Sequence, residues 1–139
     1  MPKIYISAME THVPREQIFD KRANQLLELL KQTGFELYWE KEWRDYERIK
    51  QEIASCDALL AIVDKTWQSS TWMASEVTWA NGQEEAIHRS KQRIKPPPIF
   101  LYPILEREKW GWLAGIEGPI VLDRDVHKAI ARIIGVLLN

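Results

Sequence analysis

One carboxylate stands out for the company it keeps. In "VDKTWQSSTWMASEVTWANG", Val63 to Gly82, an apolar run ends, hydroxyl residues cluster, and Glu76 follows between Trp72 and Trp79. If Ser70 caps a helix there, its hydroxyl accepts an orphan amide hydrogen of the first turn. Trp72 and Glu76 then lie four residues apart on one face, which Trp79, Ala80 and Gln83 continue. A carboxylate flanked by indoles is partly desolvated, and its charged form needs a donor or a cationic group beside it. So placed, it can stabilise a positive charge developing on a substrate, by electrostatics or by covalent capture. Glu76 is therefore the candidate catalytic residue, and the competing reading is a surface glutamate on a helix whose tryptophans only pack.

Other candidates are set by the ends of strand-like segments. "KIYIS" (Lys3 to Ser7) ends in Ser7 and Ala8, small enough to let a ribose or phosphate approach the backbone. His12 follows in the next connection, as a general acid or as a solvated loop histidine. Asp64 ends the apolar run "ALLAIV", where it either organises the turn or contacts a substrate. Trp39 and Trp43 flank the end of "FELYW", where a planar ligand ring could stack on them or where they cover the core rim. His88 and His127 lack metal-ligand spacing. Neither GxGxxG nor GxxxxGK[ST] occurs, so no glycine-rich phosphate loop is present.

The elements that must position these residues follow from hydrophobic spacing. "KIYIS" reads as a buried first strand, and Ile18, Phe19, Ala23, Leu26, Leu27, Leu29 and Leu30 recur at helical spacing between Glu16 and Thr33, with Gly34 as a stop. "FELYW" reads as the second strand, and Tyr46 to Cys56 as a helix with Ile49, Ile53 and Ala54 on one side. "ALLAIV" (Ala58 to Val63) has no polar alternation, as expected of a central strand covered on both faces. A helix is expected from about Thr71, broken by "IKPPPIFLYPI", whose prolines lack amide hydrogens and introduce a fourth strand near Ile99 to Tyr102. "EREKWGWLAGIEG" reads as a short helix or a loop, "PIVL" (Pro119 to Leu122) as a last strand, and "DRDVHKAIARIIGVLLN" as a closing helix capped by Asp123 or Asp125.

This alternation predicts an α/β, flavodoxin-like three-layer sandwich with a central parallel sheet of about five strands in the order 2-1-3-4-5. In such sheets a ligand crevice lies beyond the carboxyl ends of the strands, where strand order reverses. Here that point falls between the ends of "KIYIS" and "ALLAIV", with "SAMETHVPR" and "DKTWQSST" as its walls.

Composition narrows the partners. A chain of 139 residues is expected to form a single domain, residues 1–139. Nineteen basic against twenty acidic residues leave a net charge of -1, which gives no field to hold a nucleic-acid polymer or an anionic membrane. No apolar run reaches the length of a signal peptide core or a membrane span, so the expected location is cytoplasmic. The lone Cys56 reads as a small core residue. Seven tryptophans are too many for one small core, and Trp110 and Trp112 in "KWGWL" read as a possible association surface.

The run "D-K-T-W-Q-S-S-T-W-M-A-S-E" after a strand resembles the motif of TIR domains (Toll/interleukin receptor homology), in which a strand ending in Ser precedes an aromatic and then Ser-x-Trp-Cys-x-x-Glu. Ser70, Trp72 and Glu76 match at that spacing, Trp67 takes the aromatic place, and "KIYIS" is similar to the family's first strand. Asp64 stands where the family usually has Ser, Met73 where it has Cys, and "EKEWRDYERIK" lacks the family's glycine-containing pattern. The resemblance implies a flavodoxin-like fold, cleavage of NAD as substrate with no separate cofactor, Glu76 as catalytic carboxylate, homo-oligomeric assembly, and a place in nucleotide signalling or defence. "SEVTWANG" also resembles, less closely, the nucleophile segment of nucleoside 2-deoxyribosyltransferases; that family's Asp, six residues before its Glu, corresponds here to Ser70.

The two resemblances ask for different chemistry. Nicotinamide in NAD is already a cationic leaving group, so its departure needs no general acid, only stabilisation of the oxocarbenium-like ribose. A neutral nucleoside base needs a proton, and His12, Asp64 and Glu10 are the candidates to give it. The partner expected is thus NAD or a nucleoside or nucleotide. A noncatalytic nucleotide-binding or assembly module remains the alternative of another class.

Overall fold

The computed structural model describes residues 1–8, 20–39, 46–64, 97–115 and 118–138. Its elements run β1 (Lys3–Ser7), α1 (Lys21–Thr33), β2 (Glu36–Tyr38), α2 (Tyr46–Ser55), β3 (Ala58–Val63), β4 (Ile99–Pro103), two short 3-10 turns (Arg107–Lys109 and Gly111–Gly115), β5 (Ile120–Val121) and α3 (Val126–Leu137). The strands form a five-stranded sheet in the order β2-β1-β3-β4-β5. Every pairing is parallel. The expected α/β flavodoxin-like sandwich is therefore the architecture observed. No described helix is long and apolar enough to cross a membrane.

Two hydrophobic clusters, one on each face, explain why "ALLAIV" has no polar alternation. Ala58, Leu60 and Ile62 pack with Ala23, Leu26, Leu27 and Leu30 of α1 and Val126, Ala129 and Ile133 of α3. Leu59, Ala61 and Val63 pack with Ile49 and Ile53 of α2 and with Trp110 and Leu113. Because strand side chains alternate between faces, a strand covered on both sides must be apolar at every position. All six residues of β3 are buried.

Helix ends follow side-chain chemistry. Asp20 is extended, and its side chain accepts hydrogen bonds from the amides of Arg22 and Ala23 at 2.8 and 3.2 Å. That cap starts α1 at Lys21, a correction to the expected helix from Glu16; residues 16–19 lie outside the described residues. At the other end Gly34 sits at φ 103. Its amide donates to Lys31 and that of Phe35 to Leu30, at 2.9 and 3.0 Å. This paired closure satisfies two of the last carbonyls of α1 and needs a left-handed residue, for which glycine carries no Cβ penalty. Of the two aspartates offered as caps for α3, Asp125 does the capping, accepting from the amides of His127 and Lys128. Those amides lower its pKa, that of Lys128 most. Asp123 accepts from the amide of Asp125 and so braces the cap.

Two further expectations are corrected by packing, and one is narrowed. Ala54 is exposed, because the buried stripe of α2 runs through Ile49 and Ile53. Of "EREKWGWLAGIEG", read as a short helix or a loop, Arg107–Lys109 and Gly111–Gly115 form the two 3-10 turns. Trp110 is buried against the α2-side core rather than offered to a partner, and its indole N–H donates to the carbonyl of Leu105 at 2.7 Å. The side chain of Trp112 lies outside the described ones. Cys56 is buried, as its sequence context suggested.

Candidate ligand crevice

The crevice is built by strands that stop at different heights. Ser7, the last residue of β1, is level with Ala61 of β3, and β3 continues two residues further to Val63. At about 3.3 Å per residue, β3 stands about 7 Å above the end of β1. On the other side Tyr38, the last residue of β2, is level with Tyr5, two residues short of Ser7. β4 ends at Pro103, level with Val63. The carboxyl edge thus descends in two steps, from β3 and β4 to β1 and then to β2.

This descent crosses the reversal of strand order. From β1 the chain crosses to β2 on one side and then, through α2, to β3 on the other. Strands that follow β1 in the chain thus lie on both sides of it, which is what defines the switch point of an open α/β sheet. The upper wall is held firmly: the carbonyl of Val63 accepts the amides of both Ile104 and Leu105, at 2.9 and 2.7 Å. That double acceptance ties the end of β4 to the end of β3.

Four of the residues singled out in the sequence are described, and all four stand on this edge. Ser7 is fully buried at the end of β1. Ala8 follows it, partly buried against the α1-side cluster. Asp64 is partly buried at the top of β3. Trp39 follows Tyr38, the last residue of β2, on the lowest step. Its indole is 6% exposed and belongs to the α1-side cluster, so the open ring face expected of a stacking platform is absent. Its Nε1 is buried without a hydrogen-bond partner among the described residues. His12, Trp43, Ser70, Trp72 and Glu76 lie outside the described residues, as do Glu10, Trp67 and His88.

Two titratable groups bear on what the site contains. Burial pushes the Cys56 thiol up to about 12, against a smaller opposing pull from Lys3. A thiol so placed is protonated at neutral pH, and Cys56 precedes β3 at the amino edge, on the opposite side of the sheet from the crevice. It is no nucleophile for this site. Burial also raises the pKa of Tyr102, whose hydroxyl donates to the carbonyl of Arg124 at 2.6 Å. That bond pins the start of α3 to β4, so Tyr102 serves the scaffold.

Sequence reasoning reached the strand order, and with it the β1/β3 reversal, through the rules for parallel α/β sheets. It missed the unsatisfied indole of Trp39, since burial of a polar atom without a partner has no signature in residue order. The step in strand height was equally invisible, because a difference of two residues in strand ends depends on register.

The fold defines an open, doubly wound α/β domain whose strand order reverses between β1 and β3. No protein-family model matches the chain, and no curated protein matches it. Among solved structures it is similar to the TIR domains of the activated Roq1 resistosome directly recognizing the pathogen effector XopQ. That likeness covers 100% of this chain and 74% of the other, at 13% sequence identity and a TM-score of 0.48. It is a likeness of architecture and says nothing of chemistry.

Proposed function

We propose that this chain is a TIR-like enzyme that cleaves the nicotinamide N-ribosyl bond of NAD, with Glu76 as the catalytic carboxylate. The observation that supports the reading most is the register of β1 against β3. It sets Ser7 and Ala8 beside the top of the strand from which the run of Ser70, Trp72 and Glu76 departs, at the point where strand order reverses. Asp64, on the first step of that departure, is partly buried at the crevice.

In this reading the chemistry asked of the protein is small in number of groups. The leaving nicotinamide carries its own positive charge, so the carboxylate of Glu76 has only to stabilise the ribosyl cation that forms as the bond breaks. Water then completes a hydrolysis, or an intramolecular nucleophile completes a cyclisation. Ser7 and Ala8 present little bulk and allow close approach of a ribose to the end of β1. A homo-oligomer, a cytoplasmic location and a part in signalling or defence belong to the same proposal.

Incubating concentrated protein with NAD and separating the products tests it. Nicotinamide release is expected, and Glu76→Gln, which keeps the shape and removes the charge, is expected to reduce it by at least about a hundredfold, the scale of a lost electrostatic contact to a transition state. Release that persists in the variant would remove Glu76 from the reaction. Base release or base exchange from nucleosides, with NAD untouched, would move the protein to the deoxyribosyltransferase-like chemistry.

A further inference from the structure

Trp39 holds the one buried side-chain polar atom found without a hydrogen-bond partner among the described residues. Leaving such a donor unmet costs about 1–3 kcal/mol, and most buried polar groups in folded proteins are satisfied. Packing alone does not call for it: the indole belongs to the apolar α1-side cluster, a setting that a phenyl ring would also suit. The buried N–H of Trp110 shows the usual solution, a bond to a backbone carbonyl of its own loop. Among the described residues Trp39 has no such carbonyl.

Its position says what could meet it. Trp39 directly follows Tyr38, the last residue of β2, which pairs with Tyr5 of β1 two residues before the fully buried Ser7, so it stands on the lowest step of the carboxyl edge. It shares the α1-side cluster with Ala8, the residue that leaves β1 toward the crevice. An indole N–H donates once and accepts nothing, so its complement must be an acceptor. We propose that Trp39 is a ligand-binding residue of the crevice, its Nε1–H donating to a ribose or phosphate oxygen of a nucleotide. The inference rests on the nucleotide reading above and adds to it a contact of a different kind from stacking: a single directional bond from a side chain already ordered before the ligand arrives. Such preorganisation adds specificity at small entropic cost, since no rotamer has to be frozen on binding.

The test uses the Glu76→Gln protein, which leaves NAD intact, labelled with nitrogen-15 at its tryptophan indoles. The Trp39 indole signal is assigned by its loss in Trp39→Phe, and NAD, adenosine and inorganic pyrophosphate are titrated separately. The expected result is a downfield movement of the Trp39 N–H signal with NAD, together with an NAD affinity in Trp39→Phe weakened roughly threefold to tenfold, the scale of one neutral hydrogen bond. A matching movement with pyrophosphate assigns the contact to phosphate, and one with adenosine assigns it to ribose. If NAD binds while the Trp39 signal stays still and exchanges with water, the donor is met by solvent and the proposal fails, with the NAD reading intact. If none of the three probes binds, both readings fail together. Should Trp39→Phe not fold, assignment by through-bond and through-space correlation leaves the titration of the tryptophan-containing protein decisive.

Discussion

The two edges of the sheet are organised in opposite ways. At the amino edge the starts of β1, β2, β3 and β4 are tied to neighbours. The amide of Lys3 donates to the Asp57 carboxylate and the amide of Asp57 to the carbonyl of Lys3, both at 2.7 Å. The amide of Glu36 reaches Pro2 at 3.1 Å, that of Leu59 reaches Pro98 at 3.0 Å, and the ammonium of Lys3 lies 3.4 Å from Glu52. At the carboxyl edge the strands end at different heights and a buried indole N–H is left without an acceptor. Local satisfaction marks the edge that holds the fold together. On the edge where a ligand is expected the Trp39 donor is the exception among the described residues, as a group matched to a ligand is unmatched without it.

This contrast predicts that amino-edge variants lose stability and leave ligand binding alone, whereas Trp39→Phe does the reverse. The largest effect is expected from Ile53→Ala. Ile53 is 1% exposed near the end of α2 that approaches the amino edge, and truncating it opens a cavity worth about 2–5 kcal/mol. Denaturant unfolding should show that loss, with the affinity of the folded protein for NAD unchanged. A changed affinity would mean that the edges are coupled through α2.

Gly34→Ala comes next. An added Cβ would meet only Met1 side-chain atoms, at 3.4 and 3.5 Å, so space is adequate; the cost lies in the backbone at φ 103. About 1–2 kcal/mol is expected, read as a lower denaturation midpoint with an unaltered slope. A neutral result would show that the turn before β2 relaxes without disturbing the strand.

The smallest effect at ordinary pH concerns Cys56. Its thiol is raised from 9.0 to about 12 in the folded state, so the folded form holds a proton that the unfolded form has released between those values. The resulting stability is present below pH 9 and is lost as pH rises toward 12. Stability from pH 8 to pH 10 should therefore fall more steeply with Cys56 than in Cys56→Ala. Thiol reagents should modify the protein at the rate of its unfolding, and rapid labelling of the native state would sink the idea.

What was legible in residue order depended on how local its cause was. The apolar run of β3 announced burial on both faces because alternation is a property of the strand itself. Gly34 and Asp125 were legible as punctuation for the same reason, since a left-handed turn and an N-cap are settled within a few residues. Trp39 and Trp110 looked alike, two exposed-sounding indoles near charged connections. One proved to be bonded to Leu105 and the other to be buried without a partner, a distinction made by packing with distant segments. Ala54 was misjudged because a helix whose described side chains include two buried anchors, Ile49 and Ile53, leaves the angular width of its buried face to the neighbouring strands.

By itself, then, the sequence determined the α/β order, the central place of Ala58 to Val63 and the point at which strand order reverses. Each depends on periodicity, turn chemistry and the handedness of crossovers, which act within single elements or between consecutive ones. Only the tertiary structure decided the strand register, the stepped carboxyl edge and the burial of the Trp39 N–H. These arise where residues far apart in the chain, such as Ser7 and Ala61 or Tyr5 and Tyr38, are brought level across the sheet, and the height of a strand end has meaning only against its neighbour.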